Sequence, residues 1–599
     1  MPLAPVSHST FRTIPHKTLL RRGPGPMLAT VALVASSLGV TLLSASNAFA
    51  SANWTPAIEM PGSAALNVGG DALMFQASCA GVGSCGSVGT YTDAAGSTQA
   101  FVANEVNGTW GNAIEIPGWP ALNTGGKAGS SFTISCAAAG SCSAGGSYTD
   151  GSNQLQAFVV DETSGTWGNA IEVPGTAALN VGNKVGEVAS ISCSSAGNCS
   201  AGGAYTNSSQ AQEAFVVDET NGTWGNAVEV PGTAALNGGG VASIVSLSCS
   251  TSGNCSGEGL YADTANHLQT FVVSDANGTW SSAIEVPGTA SLNVDGLAGA
   301  NEVSCSSAGN CGLAGFYDDS SSHLQAFVAN ETNGTWSSAI EVPGSASLNV
   351  GALGSAAAIS CPSNGACSAG GAYTDRSGNT QAYVVDESNG TWGHATQIPG
   401  TASLNAGGLA AVTSLSCAST DNCSVGGLVS ATATTSQAFV ATESNGAWSS
   451  AVEVPGVASL NVGGTAIVFS VSCISDGSCA VAGQYTDSSN NFQTFVAGLS
   501  ATAPVTKKSP PGAPTIRVTS PTKGDVAIAL VGVVASHGQP ISLFQYSLNN
   551  GPWINGSEKA TKTFLIAHLT SGKIYHVRLR ALNKSGPGAP SRAVTLKVK

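Results

Sequence analysis

Residues 188–231 alternate short apolar runs with polar turns and carry no helical periodicity. Residues 188–193 (VASISC) read as a strand, 194–198 as a turn rich in Ser and Gly, and 199–206 (CSAGGAYT) as a second strand. A polar turn at 207–210 leads to a third strand at 213–218 (EAFVVD). Asn221-Gly222 is a hairpin dipeptide of the type I′ kind, and 223–230 (TWGNAVEV) is a fourth strand stopped by Pro231-Gly232. The third strand is apolar on both faces, Phe215 and Val217 on one, Ala214 and Val216 on the other, so it needs neighbours above and below. The fourth alternates as a half-exposed outer edge does: Trp224, Asn226, Val228 and Val230 point one way, Gly225, Ala227 and Glu229 the other.

The unit recurs. Trp54, Trp110, Trp167, Trp224, Trp280, Trp336, Trp392 and Trp448 follow one another at intervals of 56 or 57 residues. The 16 cysteines fall into eight C-x5-C pairs: Cys79/Cys85, Cys136/Cys142, Cys193/Cys199, Cys249/Cys255, Cys305/Cys311, Cys361/Cys367, Cys417/Cys423 and Cys473/Cys479. Each repeat also carries Pro-Gly followed by Leu-Asn. One such sheet cannot bury its own faces. Eight sheets stacked face to face around an axis can, which predicts an all-β fold, an eight-bladed β-propeller of four-stranded antiparallel blades over 51–500. The ends of the array complement each other. The Trp strand at 53–60 has no strands before it, and the last unit, 468–499, has three strands but no Trp strand after it. The N-terminal strand is therefore expected to close the last blade.

The unit resembles the kelch-type blade in Gly202-Gly203, Tyr205, Val217-Asp218 and Trp224, an order repeated at Gly370-Gly371, Tyr373, Val385-Asp386 and Trp392. It is also similar to Trp-rich repeats of secreted actinobacterial proteins, which implies a location rather than an activity.

Residues 1–50 read as a secretory signal peptide. Arg12, Lys17, Arg21 and Arg22 precede an uncharged apolar stretch at 27–43, and Ala48-Phe49-Ala50 forms a cleavage site before Ser51. No transmembrane segment is expected in the mature chain. In an oxidising compartment each C-x5-C pair is expected to be a disulfide joining the first and second strands. Zinc would need two pairs to converge, and the C-x-x-C of redox sites does not occur.

Composition changes after Leu499. Residues 501–511 form a linker bearing Pro and Lys. Residues 512–599 resemble a fibronectin type III module in Pro540-Ile541, Tyr546, 569–575 (LTSGKIY), Val577, Leu579, 580–583 (RALN) and 586–588 (GPG). The resemblance places Tyr575 at the tyrosine corner and Val531 where the second strand usually has Trp. It implies a spacer or adhesive β-sandwich.

With 20 Lys and Arg against 34 Asp and Glu, the net charge is −14, which argues against a nucleic-acid partner. One face of the proposed propeller carries the loops between strands two and three and between blades. It bears Tyr91-Thr92-Asp93, Tyr148-Thr149-Asp150, Tyr373-Thr374-Asp375 and Tyr485-Thr486-Asp487, with the Leu-Asn residues Asn67, Asn123, Asn180, Asn237, Asn293, Asn349, Asn405 and Asn461. Tyr, Asp and Asn together suit a hydroxyl-rich ligand such as a glycan. The same residues also close their own turns in many proteins, and in unit seven Leu428-Val429-Ser430 replaces the Tyr-Thr-Asp. The repeated Glu59, Glu115, Glu172, Glu229, Glu285, Glu341 and Glu453 read as solvated edge charges rather than glycosidase pairs, which need a defined separation. No D-x-D-x-D-G loop occurs, and His267, His323 and His394 sit beside no nucleophile motif. No catalytic residue, metal or cofactor is assigned. The expectation is a secreted or cell-surface, monomeric, non-catalytic binding or adhesion protein with a glycan or surface protein as partner. The alternatives are an extracellular polysaccharide-active hydrolase or lyase and a structural cell-envelope protein.

Overall fold

The computed structural model describes residues 54–182, 184–351, 353–499, 511, 513–531, 541–557, 563–583 and 586–599. The expected signal peptide, the start at Ser51, Pro540 and residues 501–510 of the linker lie outside them. The chain divides into two compact units, Met1–Ala501 and Thr502–Lys599.

The first unit consists of eight antiparallel sheets of repeated design. In the unit around residues 188–231, the strands are Gly186–Ser195, Asn198–Thr206 and Gln212–Thr220. Asn221 (φ 50°) and Gly222 (φ 76°) both take the positive φ that a type I′ turn demands. The fourth strand is not continuous. It breaks into Thr223–Trp224 and Val228–Glu229, both paired to the third strand. Between them the backbone leaves the ladder, and the Ala227 N–H donates to the Pro174 carbonyl of the preceding repeat at 2.7 Å. A second departure is one helical turn, Thr233–Leu236, after Pro231-Gly232. Gly232 enters it at φ 85°, and the Thr233 hydroxyl donates to the Val230 carbonyl at 2.7 Å. Four residues are too few to display a 3.6-residue period.

Every C-x5-C pair is a disulfide. Cys79 joins Cys85, Cys136 joins Cys142, Cys193 joins Cys199 and Cys249 joins Cys255. Cys305 joins Cys311, Cys361 joins Cys367, Cys417 joins Cys423 and Cys473 joins Cys479. Each bond links the first strand of a sheet to the second, as in the direct cross-strand pair of Cys193 and Cys199. The third strands are buried on both faces, with Ala214, Phe215, Val216 and Val217 at 1% exposure or less. Cores lie between successive sheets: Val159 and Val173 of one pack with Val188, Phe215 and Trp224 of the next.

The first strand of each sheet is an edge strand, whose free N–H groups need partners. The serine before the first cysteine supplies one. Ser78 Oγ accepts the N–H of Cys136, Ser135 that of Cys193, Ser192 that of Cys249 and Ser248 that of Cys305. Ser304 serves Cys361, Ser360 serves Cys417 and Ser416 serves Cys473. Ser472 of the last sheet then accepts from Cys79 of the first at 2.9 Å. The two ends of the unit also pair. Ile58–Glu59 lies antiparallel to Phe492–Leu499, with Ile58 opposite Val496 and Glu59 opposite Phe495.

The second unit holds a three-stranded sheet, Ile516–Thr519, Val526–Leu530 and Thr563–Ile566. Its other sheet is built on Ile554–Ser557, Leu543–Leu548 and Ile574–Asn583, with Val594–Lys597 beside the last. Both contribute to one core, which includes Val526, Ile528, Phe544, Val577 and Leu579. Val531 is 55% exposed, so it does not stand in for a core tryptophan. Val526 and Ile528 fill that strand's inward positions instead. The Tyr575 hydroxyl accepts the Thr570 N–H at 3.3 Å.

Candidate functional site

The residues expected to meet a ligand form an internal network. The Tyr91 hydroxyl donates to Glu115 Oε2 at 2.6 Å, and Tyr205 and Tyr485 donate likewise to Glu229 and Glu59 at 2.9 Å. Tyr148 reaches Glu172 at 3.5 Å. In the unit of Tyr373 the glutamate is replaced by Gln397, which donates to Gln381 instead. Glu59, Glu115, Glu172, Glu229, Glu285 and Glu341 are thus hydrogen-bond acceptors for tyrosines rather than free edge charges, while Glu453, whose unit has Val429 in place of the tyrosine, is exposed. Burial, reinforced by the facing glutamate, raises the phenols of Tyr91, Tyr148 and Tyr485.

Asp93 accepts from the Ala95 and Ser97 amides and from Gln99 Nε2. The Gln99 bond leads in holding its carboxyl below the usual range. Asp150, Asp375 and Asp487 repeat the arrangement with Gln156, Gln381 and Gln493. Each glutamine in turn accepts from the Leu-Asn residue of the next repeat. Asn123 Nδ2 donates to Gln99 Oε1, Asn180 to Gln156 and Asn67 to Gln493. The Oδ1 atoms of Asn67, Asn123 and Asn180 accept the N–H of Thr92, Thr149 and Thr206. Tyr91, Tyr148, Tyr373 and Tyr485 are 2–5% exposed, as are Asn67, Asn123 and Asn180. Burial therefore leaves these tyrosines and asparagines little surface for a ligand, while Asp93, Asp150, Asp375 and Asp487 stay partly exposed. A ring so buried has no face for a sugar, and amides that already carry three bonds stitch sheet to sheet.

The cysteines serve structure in the same way. Cys142, Cys311 and Cys367 are buried in the cores between sheets. Cys423 is equally buried, its Sγ 3.4 Å from Ser368 Oγ of the preceding sheet. These four fasten strands and line neither of the openings described below.

The repeat breaks elsewhere, on the side of the disulfide turns. At five junctions the residue just before the hairpin carboxylate accepts the indole N–H of the next sheet; at two others it is Ser274 and Thr442, and the Trp336 N–H facing Ser274 has no partner among the described residues. Trp167 donates to Asn104 (3.0 Å), Trp224 to Asp161 (2.9 Å), Trp280 to Asp218 (3.0 Å), Trp392 to Asn330 (3.2 Å) and Trp448 to Asp386 (3.2 Å). In the last sheet this position is Gly498, which offers no side chain to Trp110 of the first. A cleft of about 1010 Å³ opens there, lined by Thr55, Ile58, Glu105, Trp110, Asp476 and Gly498 among others. A Cβ on Gly498 would meet nothing closer than the Thr55 hydroxyl at 3.7 Å, ordinary van der Waals contact. Trp110 is half-buried, and burial raises the carboxyl of Glu105. An aromatic ring, two carboxylates and a hydroxyl thus surround one opening. Glu105, Trp110 and Gly498 were not legible as a site from the repeat alone. The available signal was Gly498-Leu499, which carries no polar side chain where the other repeats have Asn-Glu, Asp-Glu, Ser-Asp or Thr-Glu.

Among the described residues no three His, Cys, Asp or Glu side chains converge on a metal position. No helix among them is long and apolar enough to cross a membrane. No family model matches this chain, and no curated protein matches it. A solved structure titled "Myokine structure" aligns over 15% of this chain and 97% of its own length, at 17% identity with a TM-score of 0.13. A likeness at that score carries no argument about fold or function.

Proposed function

We propose that this chain is a secreted, non-catalytic binding protein that takes a glycan in the cleft between its first and last sheets. In this reading the eight sheets form a closed eight-bladed β-propeller, and the second unit is a fibronectin type III spacer. The serine-to-cysteine hydrogen bonds that run through all eight sheets, from Ser78 to Cys136 and onward to Ser472 and Cys79, support closure, as does the pairing of Ile58–Glu59 with the last sheet. The sheet order of the second unit and the Tyr575–Thr570 bond support the spacer. The leader-like first 50 residues and eight disulfides support export.

The observation that carries the binding function is the broken junction. Where the neighbours of Trp167, Trp224 and Trp392 fill the space with a carboxylate or amide, Gly498 leaves the Trp110 side chain facing a cleft that also holds Glu105 and Asp476. A tryptophan face supplies apolar area for a pyranose ring, while the carboxylates and Thr55 accept and donate to its hydroxyls. Retention of immobilised glycans by the secreted chain, compared with Trp110→Ala, tests this reading. Retention by the wild type and its loss in W110A are expected. An array on which the wild type retains no glycan, or equal retention by W110A, refutes it. Turnover of a retained polymer that is lost in Glu105→Gln would replace it with a hydrolase reading.

A further inference from the structure

Two sheet junctions set an amide against a buried carboxylate: Asn104 Nδ2 donates to Glu162 Oε1, and Asn330 Nδ2 donates to Glu387 Oε1. A third uses hydroxyls, Ser256 and Ser274 donating to Glu331 at 2.9 and 3.2 Å. At three further junctions the donor's place holds an aspartate. Asp161 acts on Glu219, Asp218 on Asp275 and Asp386 on Glu443. Aspartate has the shape of asparagine with an oxygen where the NH2 donor was, so acceptor meets acceptor.

The second carboxylate at these junctions is not exposed to water. Glu219 and Asp275 are 4% exposed and Glu443 5%. Among the described residues, Oε2 of Glu219 and Oε2 of Glu443 have no hydrogen-bond partner. Each junction adds a serine hydroxyl: Ser200 donates to Asp218 at 2.6 Å, while Ser143 and Ser368 lie beside Asp161 and Asp386, whose Oδ1 atoms have no hydrogen-bond partner among the described residues. The middle junction opens on a cavity of about 340 Å³ lined by Ser200, Asp218, Asp275, Asn198 and Asn277, with room for water. All 16 cysteines are tied up in disulfides, so every donor here is a hard oxygen.

We propose that the Asp161/Glu219, Asp218/Asp275 and Asp386/Glu443 junctions each bind a Ca2+ ion, which takes the place of the amide donor found at Asn104 and Asn330. Calcium prefers six to eight oxygens with flexible geometry, and water completes the shell around two carboxylates and a hydroxyl. Two acidic ligands per site imply weak binding, about 10⁻⁴–10⁻³ M, in the range of extracellular modules. Without the cation the paired charges drive protons on: burial and the facing aspartate push Glu219 up to about 7 and Glu443 up to about 8.

The test uses the full secreted chain, stripped with EDTA, then titrated with CaCl2 by calorimetry and melted with and without Ca2+. Three equivalents and a higher melting temperature in Ca2+ are expected. Asp161→Asn, Asp218→Asn and Asp386→Asn recreate pairs the chain already tolerates, so the variants should fold and each should bind one equivalent fewer. The triple variant should bind none, and its melting temperature should ignore Ca2+. A wild-type chain that shows neither heat nor a melting shift with Ca2+ overturns the proposal. So does a triple variant that keeps the wild-type stoichiometry.

Discussion

Gly498 occupies the position that Asn104 and Asn330 fill at equivalent junctions, and a side chain there has room. Gly498→Asn should give Trp110 an acceptor and Glu105 a donor, as Asn104 does for Trp167 and Glu162. Denaturant unfolding should show a gain of about 1–2 kcal/mol from the added hydrogen bonds, while glycan retention falls because the cleft is filled. A loss of stability would contradict the geometry at this junction. Glu258 also breaks the repeat, standing where Gly202 and Gly370 stand in their units. It is fully buried, both its oxygens lack a partner among the described residues, and burial raises its carboxyl well above the usual range. Its neighbour Glu302 is pushed up to about 7 by desolvation. Acids whose folded pKa exceeds the unfolded one bind more protons when folded. Their contribution is therefore fully present below the ordinary carboxylate range and is lost as pH rises toward and past the folded values. The melting temperature should fall between about pH 5 and about pH 8, and Glu258→Gln should flatten that fall. An equally steep profile in E258Q would show that another group titrates.

At the level of the element, the serine before each first cysteine caps the free edge of the following sheet. Ser192→Ala should leave the Cys249 N–H without its acceptor and cost about 1–2 kcal/mol in chemical unfolding. An unchanged midpoint would show that solvent replaces the bond. Much of each sheet was legible in sequence, because the alternation, the Asn221-Gly222 turn and the paired cysteines are local signals. The split fourth strand was not: its alternation runs unbroken from Trp224 to Val230, and only the pull of Pro174 on Ala227 interrupts it. The tyrosines, aspartates and asparagines read equally well as ligand contacts or as internal clasps, and burial favours the clasp for the tyrosines and asparagines. The serine series recurs in sequence beside every first cysteine, yet its partner lies about 57 residues on in a neighbouring sheet, out of reach of a local pattern.

At the scale of the whole molecule, the cleft lies where the last sheet meets the first. Cleft and closure both depend on the N-terminal strand completing the last sheet. Three amides report on that strand: Thr55 donates to Gly498, Ala57 to Pro455 and Met60 to Thr494, at 2.7, 2.7 and 2.9 Å. Their internal counterpart is the segment after Trp167, where Gly168 donates to Asp161, Ala170 to Pro117 and Val173 to Ala157. Hydrogen exchange followed by mass spectrometry compares residues 54–62 with residues 167–175 in the same folded chain. Closure predicts that both segments exchange on the same slow timescale, set by the opening of a whole sheet. If residues 54–62 exchange within seconds while 167–175 stay protected, the N-terminal strand is a free tail, and the closed array and its cleft are contradicted together.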